Sequence, residues 1–81
     1  MINISGCELQ EFAQYMSSQY GSNQFTKGFE LIKSNRNIAY EVNGEQKLME
    51  MLKPLSFQDD EAIRGFINFC TTFLIVQNMN V

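Results

Sequence analysis

Residues 62–76, AIRGFINFCTTFLIV, decide the fold. Laid out at about 100° per residue, Val76, Phe69, Ala62, Phe73, Phe66, Cys70, Ile63, Leu74 and Ile67 fill a helical arc of about 180°. Ile75 stands on the other side, among Arg64, Asn68, Thr71 and Thr72. An ordinary surface helix carries an apolar stripe only somewhat over about 100° wide. A helix as broad-faced as this one needs cover on two or three sides, from its own chain or from another. It is also too short, and too interrupted by Arg64, Asn68, Thr71 and Thr72, to span a bilayer.

The segments upstream supply narrower faces. Ser5-Gly6-Cys7-Glu8 fits a capping box, and behind it Leu9, Phe12, Ala13, Met16 and Tyr20 recur on one helical face. This predicts a first helix over 6–20, ended by Gly21 in the left-handed C′ position. Ser22 or Asn23 then caps a second helix whose face holds Phe25, Phe29 and Ile32, with Leu31 at its margin. Gly28 lies beside that face and reads as a point of close approach by another helix.

Residues 35–43 are ambiguous between helix, strand and loop. Ile38, Tyr40 and Val42 alternate ahead of Asn43-Gly44, as in the first arm of a hairpin. No β-rich return arm follows, and a lone strand has nothing to pair with. The segment therefore reads as a short helix or an irregular connector. Asn43 then caps a third helix, with Gln46 at the capping-box position. Leu48, Met51, Leu52 and Leu55 line that helix, Met49 is expected to be less buried than Met51, and Pro54 halts it. Ser56 caps the last helix, and Asp59, Asp60 and Glu61 meet the positive end of its dipole. That helix is expected to run to about Gln77, with residues 78–81 fraying. The fold class is all-α: one domain over residues 1–81, a small bundle of four or five short helices packed around the hydrophobic C-terminal one.

Composition bounds the function. The chain has 81 residues, 44% of them apolar, including seven Phe and five Met, which suits a globule with a thin core rather than a disordered segment. Net charge is −3, and the six bases are scattered, most with acids nearby. Neither a phosphate-binding surface nor electrostatic docking on an anionic membrane is expected. Cys7 and Cys70 are too few for a disulfide framework and read as reduced, buried or half-buried thiols. With no secretory signal in the first residues, a cytoplasmic location is expected.

Chemistry is hard to find. The chain has no histidine, so Ser-His-Asp and Cys-His arrangements are excluded, and two cysteines cannot supply the four ligands of a structural zinc site. No glycine-rich phosphate loop is present. Asp59-Asp60-Glu61 lacks the alternating acids, central glycine and distal glutamate of a calcium loop, so helix-start electrostatics explains it better. Glu8 with Glu11, and Glu45 with Glu50, read as solvent-face carboxylates rather than acid/base pairs. No catalytic, metal-ligating or cofactor-binding residue is assigned.

What the sequence leaves over is apolar surface. Tyr15 and Ile75 lie off the main faces of their helices, and Phe57 sits in a connection. The expectation is a non-enzymatic interaction module that docks on another protein or on itself through the C-terminal helix. Its candidate residues are Tyr15, Phe57, Phe66, Phe69, Phe73, Ile75 and Val76, some as core and some as contact. The alternative is a small helical protein that binds an apolar ligand among its Phe and Met side chains.

Overall fold

A computed structural model describes residues 2–79, the side chains of 78 and 79 excepted. Among them run a short 3₁₀ turn η1 (Ile4–Gly6), α1 (Leu9–Tyr20), α2 (Ser22–Ser34), a second 3₁₀ stretch η2 (Arg36–Tyr40), α3 (Gly44–Leu52), a third turn η3 (Lys53–Leu55) and α4 (Asp60–Met79). No strand occurs among the described residues, and the ambiguous connector is 3₁₀ helix. The all-α expectation holds.

The organising element is α4, which packs against η1, α1, α2 and α3. Its broad arc is covered from within the chain: Ile63, Phe66, Ile67, Cys70, Phe73 and Leu74 are all buried. The centre of the molecule is aromatic. Phe12 of α1 stacks on Phe73 with ring centroids 4.2 Å apart, Phe25 stacks on Phe29 at 5.3 Å, and Phe12 meets both Phe25 and Phe29 at 6.0 Å. Such pairs add about 0.5–1.5 kcal/mol each beyond the area they bury. Among the described residues no polar or charged side chain is buried.

Gly28 sits where the sequence reading puts it. A Cβ built there would stand 2.8 Å from Cε1 and Cζ of Phe66, so α2 and α4 meet through the missing side chain. The face of α2 is Phe25, Gly28, Phe29 and Ile32, all buried.

Helix starts differ from expectation, each for a local reason. α1 begins at Leu9, not Gly6, because residue 7 is extended (φ −95°, ψ 151°) and sends the Cys7 thiol into the core. The capping box consequently moves three residues on, to Glu8 and Glu11, with the Glu8 N–H donating to Glu11 Oε1 at 3.5 Å. Ser5 donates instead to Asn3 Oδ1. Gly21 ends α1 with φ 101° and ψ 146°, a positive-φ conformation outside the left-handed helical region, and the same residue begins α2. Neither Ser22 nor Asn23 is the cap of α2, since a one-residue connection leaves no room for one.

Asn43 does precede α3, but its left-handed backbone (φ 62°) replaces the side-chain bond expected of it, and Gln46 donates to Glu50 instead. Ser56 is likewise left-handed (φ 60°) and closes η3; the cap of α4 is Asp59, whose Oδ1 accepts the Ala62 N–H at 2.8 Å. In α3 the two methionines exchange places, with Met49 buried and Met51 half-buried. A helix of nine residues, closing on α2, η2 and α4 together, is rotated by its neighbours rather than by its own stripe. α4 continues through Met79, past the expected end at Gln77. The rest of the expected fraying tail, residues 80 and 81, lies outside the described residues.

Candidate functional site

The seven residues singled out by sequence divide along α4. Near its start, Phe57 is half-buried against Phe66 (5.0 Å) and Tyr20 (6.1 Å), and Phe66 is wholly buried. Midway, Phe69 and Tyr15 are half-buried and meet edge to face at 5.7 Å. Towards its end, Phe73 is core, Val76 is half-buried, and Ile75 is 40% exposed. These residues do not form one patch. Most of them satisfy one another inside the chain.

The exposed apolar surface lies largely elsewhere. Leu9 is 53% exposed, Tyr40 70% and Val42 86%. Leu9 falls on the predicted face of α1, but it is the first residue of the helix. There it becomes the lip of a hollow of about 220 Å³ lined by Leu9, Phe29, Lys33, Arg36, Phe73, Leu74 and Gln77. The start of α1, the end of α2, η2 and the second half of α4 converge on it. Its floor is the edges of core residues, and its rim carries two cations. By the helical repeat, Ile75 stands about 160° round α4 from Gln77 and belongs to the opposite face.

The charges around this hollow are distinctive. Lys47 pairs with Glu41 at 2.9 Å, Lys53 with Glu50 at 3.7 Å and Arg64 with Glu45 at 3.5 Å. All three pairs are exposed and contribute little to stability. Lys27, Lys33 and Arg36 have no ion-pair partner among the described residues, and of these Lys33 and Arg36 line the hollow. They are also the closest pair of bases in the sequence, three apart with only Ser34 and Asn35 between them, and that spacing is the signal that marks the rim.

Other hollows open on the surface of the described residues. One of about 310 Å³ is lined by Gln19, Tyr20, Ser56, Phe57, Gln58 and Ala62, and one of about 130 Å³ lies between Ala39, Glu45, Leu48, Ile67, Asn68 and Thr71. Neither gathers convergent charged groups. Among the described residues, no three or more His, Cys, Asp or Glu side chains cluster as metal ligands would, and no helix is long and apolar enough to cross a membrane.

Both cysteines are free and buried. Burial pushes the Cys70 thiol far above its ordinary value. Cys7 is raised by burial first and by the Glu11 carboxylate second, against a smaller lowering from its own backbone. Thiols shifted in this direction are poor nucleophiles. Tyr20 is raised too, mainly by burial.

Comparison with family models, with curated proteins and with solved structures yields no match, so no role is transferred from a relative.

Proposed function

We propose that this chain is a non-enzymatic interaction module that docks on a protein partner at the end of the bundle formed by the second half of α4. The observation that carries the reading is the hollow beneath Leu9. An aliphatic side chain half in solvent overhangs an apolar floor, and two cations with no ion-pair partner among the described residues border it. Apolar recesses with a polar rim are the usual form of a protein contact. The core offers no competing explanation, because its aromatic rings are satisfied among themselves.

The reading is tested by substituting Leu9→Asp, which places a charge on the lip. Leu9 is exposed and opens a helix, where an acid suits the dipole, so folding is expected to be retained. Ile75→Asp, on the opposite face of α4, is the matched control. Tagged wild-type and variant chains are used to retain partners from an extract of the source cell, and each retained protein is re-measured in purified form. A partner bound by wild type and by the Ile75→Asp chain, but at least about tenfold more weakly by Leu9→Asp, supports the reading. Indifference of every bound partner to Leu9→Asp overturns it.

A further inference from the structure

Resting on that reading of the hollow as a docking surface, we infer that its occupant is the Tyr40-Glu41-Val42 tip of a second copy of this chain, in a two-fold pair. Tyr40 and Val42 are the most exposed large apolar side chains among the described residues, and Glu41 lies between them. The hollow has the reverse character: apolar floor, apolar lip at Leu9, and cations at Lys33 and Arg36. Glu41 meets Lys47 of its own chain through Oε1, in an exposed pair, which leaves Oε2 to face bases that border an apolar recess, so charge and polarity match together.

The tip is held in shape. The Glu41 N–H donates to the Ile38 carbonyl at 3.0 Å, and the Gly44 N–H donates to the Glu41 carbonyl at 3.0 Å. Asn43 takes a left-handed turn, and a Cβ on Gly44 would collide with the Ile38 carbonyl, so the chain is pinned tightly there. A preformed protrusion loses little conformational freedom on docking. The hollow also has the right scale. At about 30 Å³ per water its 220 Å³ corresponds to about seven waters, room for a side chain or two and too little for a whole helix.

Placement favours a closed pair. Arg36, on the rim, and Tyr40, on the tip, begin and end the same 3₁₀ stretch, about 8 Å apart along its axis at about 2.0 Å per residue. Protrusion and recess therefore adjoin. A two-fold axis between two copies seats each tip in the other's hollow and closes the assembly at two.

The test is sedimentation equilibrium of the full chain from low micromolar to about millimolar concentration, with circular dichroism to confirm that each variant is folded. The wild type is expected to form a dimer that weakens as salt rises. Val42→Asp, the double variant Lys33→Glu/Arg36→Glu, and Glu41→Lys should each raise the dimer dissociation constant at least about tenfold. Mixing the double variant with Glu41→Lys restores opposite charges at both contacts, so a heterodimer should re-form. Glu41→Lys also removes the pair with Lys47, an exposed contact of little weight. A wild type that stays monomeric overturns the inference. So does a dimer indifferent to these variants, an open-ended assembly, or a mixture that fails to re-pair. A monomer that still binds another protein through Leu9 overturns only the identity of the occupant; indifference to Leu9→Asp overturns the docking reading itself.

Discussion

Gly28→Ala sets two opposed effects against each other, and the structure says which one wins. Alanine is favoured over glycine within a helix by about 1 kcal/mol. The new methyl would stand 2.8 Å from two atoms of the Phe66 ring and 3.5 Å from Leu52 Cδ2. The ring has little freedom to retreat, being wholly buried and held edge-on by Tyr20 at 5.3 Å and Phe57 at 5.0 Å. Overpacking of that kind costs about 1–3 kcal/mol. The expected net is a loss of about 1 kcal/mol, equivalent to a fall in Tm of about 4–8 °C for a chain of this size. In a Phe66→Leu background the clashing ring atoms are gone, and the same substitution should stabilise by up to about 1 kcal/mol. The two sites then couple by about 2 kcal/mol. Urea unfolding followed by far-UV circular dichroism, with unchanged m, measures all four species of the cycle. An effect of the same sign in both backgrounds, or stabilisation of the wild type, would refute the reasoning.

Three further outcomes follow from the core and its caps. Asp59→Ala removes the acceptor of the Ala62 N–H and should cost about 1 kcal/mol, while Asp59→Asn keeps most of that stability; thermal melts separate them. Phe12→Ala deletes a fully buried ring that stacks on Phe73 and should cost about 3–5 kcal/mol, enough to abolish cooperative unfolding in so small a domain; a cost under about 1 kcal/mol would contradict the packing described. The thiols predict a pH dependence. With Cys70 and Cys7 raised in the folded chain, the unfolded chain loses their protons first as pH rises. Stability from this source is therefore fully present below about pH 8.5 and declines above it. Urea midpoints from about pH 7 to 10 should fall in the wild type and fall less steeply in Cys70→Ala; equal slopes would exclude the thiol as the cause.

The sequence displays what depends on one helix alone and hides what depends on its surroundings. The breadth of the α4 arc, the face of α2 and the meaning of Gly28 follow from periodicity, which neighbouring elements do not alter. The start of α1 does not follow, because the choice between Ser5 and Glu8 as cap turns on whether Cys7 is drawn into the core. Met49 and Met51 exchange burial because a helix of two and a half turns is oriented by whatever it docks against. The candidate site was legible only in part. Phe73 lies in the hollow, but Leu9 looked like core from its position on the helical face. Tyr40 and Val42 looked like a failed strand, whereas the end of the 3₁₀ stretch and the turn after it present them to solvent. The bases at 33 and 36 read as two of a scattered set, and the recess they border is made by four elements, α1, α2, η2 and α4, that only the fold brings together.

The central place of α4 bears on how the chain is made. Among the described residues it follows the other elements in chain order, yet η1, α1, α2 and α3 all bury surface against it. Until residues 66–74 have left the ribosome, α1 and α2 can meet through Phe12, Phe25 and Phe29, but the faces that bury against α4 stay open. Helices of nine to thirteen residues have marginal stability alone. The core is completed only when α4 arrives, and until then the sides of Phe12 and Phe29 that Phe73 covers are open to whatever else is in the cell.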